Sequence, residues 1–196
     1  MIKRLFDILF SLWGLFALSP MLLFIAIWIK IDDQGPVFFR QERIGKNGKS
    51  FKILKFRSMK MNSEQMGQLT VGGRDPRITN AGYFLRKFKL DELAQLFNVL
   101  KGDMSFVGPR PEVPKYVAMY NEEQRKVLTV KPGITDWASL KYFEESELLA
   151  AAEDPEACYV QEIMPAKLKI NLDYVENYSL FTDLKIILLT VFKIFQ

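Results

Sequence analysis

Between Leu5 and Ile31 the chain is apolar except at Asp7, Ser11, Gly14, Ser19, Pro20 and Lys30. As one straight helix this run would reach roughly 40 Å, enough to span a bilayer. A secretory signal is a poor fit, because the run is too long for a signal core and no small-x-small cleavage site follows it. Pro20 lies near the middle. It has no backbone donor and its ring crowds the preceding turn, so the helix should kink or break there. The Ser19 hydroxyl can satisfy a carbonyl freed by the break. Lys3 and Arg4 precede the run, and Lys30, Arg40, Arg43, Lys46 and Lys49 follow it. Positive charge retained on the cytoplasmic side would put both ends on one face, as a re-entrant hairpin does and a straight span does not. On composition alone the kinked span and the hairpin stand equal.

A chain of 196 residues has room for one main domain beside that element. Its net charge of +4 suits anionic headgroups, nucleic acid or phosphorylated substrates, without choosing among them. There is no histidine and a single cysteine, Cys158. This removes serine and cysteine triads built on histidine, cysteine-based zinc sites and a disulfide framework.

Asp32 to Pro36 reads as a turn closing the apolar element. Val37-Phe38-Phe39 and Phe51 to Phe56 read as short strands, linked by a hairpin loop in which Gly45 and Asn47-Gly48 supply positive φ. Lys30 to Lys60 holds nine basic residues against three acidic ones. Beside a membrane element such a face suits headgroups or phosphates. Residues 62–80 are polar and aperiodic, as in a functional lid or a mobile loop. Helices are expected over 112–127 (broken near Pro114), over the acidic stretch 144–153 up to Asp154-Pro155, over 165–178, and over 180–195, the last lying in the membrane interface or packing on the domain.

The adjacent carboxylates Asp91 and Glu92 open a stretch in which Leu93, Leu96, Phe97 and Leu100 recur at the spacing of one buried helix face, closed by Lys101-Gly102. An isolated pair of this kind usually supplies an N-cap and a dipole partner. The surroundings point further. An aspartate, ionised at neutral pH, can attack phosphorus without a general base, which fits a chain lacking histidine. Mg²⁺ suits one or two carboxylates plus phosphate oxygens, so Asp91 and Glu92 are also the candidate metal ligands. Arg86 lies just upstream, and Arg110, between Pro109 and Pro111, offers a planar fork for phosphate. Lys55 and Arg57 of the basic hairpin are further phosphate-binding candidates.

These segments together resemble the bacterial sugar transferase family, the monotopic phosphoglycosyl transferases. The resemblance covers roughly residues 1–140. It rests on Lys3-Arg4-Leu5-Phe6-Asp7, Ser19-Pro20, Gln41 to Gly48, Lys55 to Met59, Asp75-Pro76-Arg77-Ile78-Thr79, Leu90-Asp91-Glu92-Leu93, Val107-Gly108-Pro109-Arg110-Pro111 and Lys131 to Thr135. It implies an α+β fold: a small cytoplasmic domain, mostly helical with a short β-hairpin, attached to an N-terminal re-entrant helix-break-helix. Residues 1–34 would form the membrane hairpin, and 35–196 the catalytic domain with amphipathic interfacial helices.

The implied reaction moves a sugar-1-phosphate from a UDP-sugar to a polyprenyl (undecaprenyl) phosphate, with Mg²⁺ as cofactor and UMP released. It would be the first membrane step of bacterial glycoconjugate synthesis, at the cytoplasmic face of the inner membrane. Asp91 would carry a covalent phosphosugar and Glu92 would bind metal and orient it. Arg86 and Arg110 would hold phosphates, and Arg4, Asp7, Ser19 and Pro20 would set the hairpin. Membrane lipid is then a partner and nucleic acid is not; a homodimer is one option for the assembly. Many relatives read Gly-Ile-Thr-Gly-Trp-Ala-Gln where this chain has Gly133-Ile134-Thr135-Asp136-Trp137-Ala138-Ser139, so nucleotide and sugar contacts there do not carry over. The rival readings are a metal-dependent glycosyltransferase and a non-catalytic basic membrane adaptor.

Overall fold

The computed structural model describes residues 2–67, 69–73 and 75–196. Two apolar helices, α1 (Ile2–Ala17) and α2 (Ser19–Asp32), meet at a 63° bend. The chemistry of the bend is the one expected from Ser19-Pro20. A residue with an N–H at position 20 would bond the carbonyl of Phe16 in a continuous helix; here the Ser19 hydroxyl donates to that oxygen at 2.8 Å. No single described helix is long and apolar enough to cross a membrane, although the bent pair passes that test taken together.

β1 (Phe38–Ile44) and β2 (Ser50–Phe56) form the antiparallel hairpin, in register from Phe38 opposite Phe56 to Ile44 opposite Ser50. Asn47 and Gly48 take positive φ in its loop, at 57° and 73°. Gly45 does not, with φ at −111°. Its reason is space, since a Cβ there would meet the Phe51 ring at 3.1 Å.

Next come α3 (Asn80–Lys87), capped by the Thr79 hydroxyl, then a 3₁₀ turn over Leu90–Gln95 that runs directly into α4 (Leu96–Lys101). Gly102, with φ 102°, ends α4 as expected. A second, parallel strand pair was not foreseen. β3 (Ser105–Val107) lies beside β4 (Gly133–Thr135). The two backbones approach so closely that a Cβ on Gly133 would sit 2.1 Å from the Gly108 nitrogen.

The remaining helices are α5 (Pro114–Val117), α6 (Trp137–Lys141), α7 (Glu145–Ala150), α8 (Pro155–Cys158), α9 (Met164–Asn177) and α10 (Leu180–Ile194). The 112–127 expectation shrinks to α5 and a later 3₁₀ turn over Gln124–Thr129. The 144–153 expectation shortens to α7, which ends at Ala150, and Asp154-Pro155 starts the next helix instead, because the Asp154 carboxylate accepts from the Glu156 and Ala157 amides. The polar segment 62–80 is partly organised, leaving aside Gln68 and Arg74, which lie outside the described residues. The buried Arg77 guanidinium bonds the Asp75 carboxylate and donates to the carbonyls of Gly67 and Leu69.

The helical hairpin is locked to the body. Ile25 and Ile29 of α2 share a core with Phe56, Leu85 and Ala94. From α1, Arg4 donates to the carbonyls of Val99 and Leu100, satisfying the end of α4. Buried Asp7 accepts from the Ser105 hydroxyl and the Phe106 amide. Lys3 reaches the Val107 carbonyl and Asp183 of α10. Arg4 and Asp7 therefore orient the hairpin by tying α1 to α4 and β3. Asp7→Ala would strand the Phe106 amide in the interior. It is expected to cost about 2–3 kcal/mol, read as a lower thermal midpoint in detergent.

The opposite faces carry an apolar surface: Leu5, Trp13 and Phe16 on α1, Leu23, Phe24 and Ile31 on α2, Phe181, Leu188 and Phe192 on α10, and Phe195 just after it are all exposed. α10 thus packs inward through Ile186 and Asp183 and shows apolar side chains outward.

Candidate active site

Lys89 adopts the left-handed conformation, φ 54°, and reverses the chain between α3 and the 3₁₀ turn. Lys89, not Asp91, occupies the N-cap position, and no side chain caps this turn. Asp91 is thereby released from the commonest structural role of such an aspartate. It lies in the first turn beside Glu92, against β2. Asn98 sets that contact: its side-chain oxygen accepts from the Leu54 amide and its nitrogen donates to the Lys52 carbonyl, both at 2.9 Å. The buried amide thus extends the β2 edge onto α4 and fixes Lys55 opposite Glu92.

The Glu92 carboxylate is held from two sides. Arg110 grips it with both terminal nitrogens, at 2.5 and 3.2 Å, and Lys55 Nζ lies 3.1 Å from Oε1. Arg110 is positioned by the strand pair that precedes it. Gly108 donates to the Thr135 carbonyl, and the Arg110 amide donates to Asp136 Oδ2 at 2.7 Å. Asp136, fully buried, also accepts from the Ser139 amide to cap α6. The Asp136 carboxylate therefore supports the arginine clamp. Arg43 backs the same loop by donating to the Pro111 carbonyl at 3.0 Å.

Asp91 is treated differently. It is only 5% exposed, and its Oδ1 has no hydrogen-bond partner. Burial pushes its carboxyl above the ordinary carboxylate range; Lys55 draws it down and negative Glu92 raises it further. Burial would raise Glu92 too, but Arg110 and Lys55 outweigh it and hold Glu92 well below its usual value. Two neighbouring carboxylates are thus driven apart, one kept ionised by its clamp and the other desolvated with a free oxygen. A buried polar atom without a partner is uncommon in a native fold; Arg57, Gln95, Ser139 and Asn171 also carry one, and Asp91 is the only carboxylate in that set among the described residues.

Both carboxylates line a cleft of about 720 Å³, together with Lys55, Arg86, Lys89 and Arg110. Among the expected phosphate ligands, Arg86 lines it too, with Nη2 2.9 Å from the Thr70 hydroxyl. Arg57 lines it as well. Its buried guanidinium also bonds the Asp33 carbonyl and lies 3.5 Å from the Asp33 carboxylate, tying down the turn after α2, while its Nε has no hydrogen-bond partner. The expected apolar face of 93–100 is also displaced. Phe97 is 46% exposed, while Ala94, Leu96, Asn98 and Val99 are buried, because three residues per turn through Gln95 shift the phase of everything after it.

Among the described residues, no three carboxylate, cysteine or histidine side chains gather into a metal cage. An orphan oxygen on Asp91 beside the Glu92 carboxylate nonetheless fits Mg²⁺, which binds through one or two carboxylates and takes other ligands from water and phosphate.

The family model described as bacterial sugar transferase matches residues 1–196. A UDP-glucose:undecaprenyl-phosphate glucose-1-phosphate transferase of Escherichia coli K12 is 39% identical over 98% of this chain and 40% of its own length. A UDP-N-acetylgalactosamine-undecaprenyl-phosphate N-acetylgalactosaminephosphotransferase of Aeromonas hydrophila is 38% identical over 97% of this chain and 43% of its own. The chain thus spans about two fifths of the length of these curated relatives. A protein of Bacillus subtilis 168 named as an uncharacterized sugar transferase, EpsL, is 38% identical over 98% of the chain and 87% of its own length.

Proposed function

The chain belongs to the bacterial sugar transferase family, and from that premise we propose that it is a phosphoglycosyl transferase moving a sugar-1-phosphate from a UDP-sugar to undecaprenyl phosphate. The observation that carries this reading is the inequality of Asp91 and Glu92, the one with an unpartnered oxygen and the other clamped, at the wall of a cationic cleft. The names of the Escherichia coli and Aeromonas relatives support the two substrates.

A diphosphate in the cleft meets Arg86, Lys89 and Arg110, which offset its charge and hold its phosphates. An Asp91 oxygen attacks the phosphorus that bears the sugar. The bond from that phosphorus to the bridging oxygen breaks, and UMP departs with the electron pair, leaving the sugar phosphate on Asp91 as a mixed anhydride. An oxygen of undecaprenyl phosphate then attacks the same phosphorus. The anhydride bond breaks, Asp91 recovers its carboxylate, and a diphosphate-linked sugar lipid forms. Neither step needs a general base, because both attacking oxygens carry negative charge. Asp91 and Glu92 would hold Mg²⁺, which when bound supplies further neutralisation of the diphosphate.

The exposed apolar faces of α1, α2 and α10 support attachment to one leaflet by a re-entrant hairpin. In this reading the catalytic part lies on the cytoplasmic face of the bacterial inner membrane. The test is turnover by purified protein in detergent with Mg²⁺, undecaprenyl phosphate and a panel of UDP-sugars. UMP release with one or more sugars is expected. UDP release would make it a glycosyltransferase, and no nucleotide release from any donor would make it an adaptor.

A further inference from the structure

Resting on that reaction, the geometry points to where the acceptor's hydrocarbon chain lies: along Ile187, Val191 and Ile194 of α10, reached past Phe143. All four residues line the cleft that holds Asp91 and Glu92. The Phe143 ring joins its two ends. Lys89 Nζ lies 4.9 Å from the ring centroid, and Lys193 Nζ of α10 lies 5.7 Å from it. Lys89, two residues before Asp91, and Lys193 of α10 thus meet the same ring, and the α10 residues share one cleft with the reacting carboxylates.

This strip is built rather than incidental. On its inner side α10 is anchored by fully buried Ile186, by Asp183 bonded to Lys3 and Tyr174, and by a 2.7 Å hydrogen bond between Thr190 and Thr135. Val191 is half exposed and sits where the cleft wall passes into the outer apolar face carrying Leu188 and Phe192. The strip is therefore continuous with the surface that would meet lipid. An acceptor has the same polarity order: an anionic head that suits two ammonium groups at an aromatic gate, then an isoprenoid chain that suits aliphatic side chains. The donor is a worse occupant, being hydroxylated and charged throughout. Arg43, Glu112, Glu145 and Lys167, which also line the cleft, offer it polar partners.

The test uses the full chain in detergent and compares UMP release with a short, water-soluble prenyl phosphate and with undecaprenyl phosphate. Val191→Trp fills the strip while keeping it apolar. It is expected to lower kcat/KM for the long acceptor by about tenfold or more and to leave the short acceptor within about twofold. The short acceptor also reports that the variant is folded. Leu188→Trp, one turn away on the outer face, is expected to change neither. Equal loss with both acceptors, or no loss with either, would overturn the inference. Absence of turnover by the unaltered protein with both acceptors would instead overturn the reaction on which it rests.

Discussion

Asp91→Asn is expected to abolish sugar-phosphate transfer, by on the order of 10⁴-fold or more, and at the same time to make the protein more stable. The first half follows from chemistry. An amide at position 91 cannot form the anhydride with phosphorus, and the chain has no histidine or second free carboxylate at that point to replace it. The second half follows from burial. The Asp91 carboxyl titrates above its unfolded value because the folded protein desolvates its charged form. A carboxyl raised in this way stabilises the fold below its unfolded pKa, and that contribution is lost as pH rises through the folded pKa. Above the unfolded value the buried carboxyl is therefore a net cost. Removing the charge should raise the thermal midpoint, by about 2–4 °C for each kcal/mol recovered in a domain of this size. Activity assays paired with calorimetry at pH 7 check both halves. A less stable Asp91→Asn protein would mean that the carboxylate is satisfied in the fold, and residual labelling by a radioactive sugar phosphate would remove Asp91 as the nucleophile.

Local chemistry was the legible part of this chain. Ser19-Pro20 marked both the break and its repair, because a missing donor and a nearby hydroxyl are properties of adjacent residues. Asn47-Gly48 marked the hairpin loop and Gly102 the end of α4 for the same reason. What could not be read were pairings between distant segments. β3 and β4 are three residues each and lie twenty-eight apart in register, so no periodicity announces them; the one hint was glycine at both 108 and 133, where a side chain would collide with the other backbone. Asn98 reads as a polar flaw in an apolar helix, yet it is the bracket between α4 and β2. The adjacent pair Asp91-Glu92 stands out in the sequence, but only the family resemblance implies separate roles for the two. Their unequal surroundings come from Arg110 and Lys55, brought in from other elements. Arg57 lines the cleft, yet its bond to Asp33 could not be read from the sequence, because a basic residue at a strand end is placed by its tertiary partner.

Glu92→Gln is expected to do the reverse of Asp91→Asn in stability while also lowering activity. The Glu92 carboxyl is held well below its ordinary range, since the attraction of Arg110 and Lys55 exceeds the cost of burying it. A depressed carboxyl stabilises the fold above its unfolded pKa of about 4.3, and the contribution disappears as pH falls through the folded value. Glutamine keeps the shape but leaves the Arg110 fork and the Lys55 ammonium facing a neutral amide. Breaking a largely buried ion pair from one side costs about 3 kcal/mol, which corresponds to a drop of roughly 6–12 °C in the thermal midpoint. The loss should be present at pH 7 and narrow toward pH 3, where the unaltered protein surrenders the same interaction. Activity should fall by about 10²–10³-fold as the arginine fork loses its orientation, and half-maximal activation should need more Mg²⁺, because one of two carboxylate ligands is gone. Thermal scans from pH 3 to 7 and Mg²⁺ titrations of UMP release test the two consequences separately. An unchanged midpoint would show that Arg110 and Lys55 find other partners, and an unchanged Mg²⁺ requirement would leave Asp91 as the sole protein ligand. Opposite shifts from two adjacent carboxylates would be hard to obtain from any arrangement in which Asp91 and Glu92 share one role.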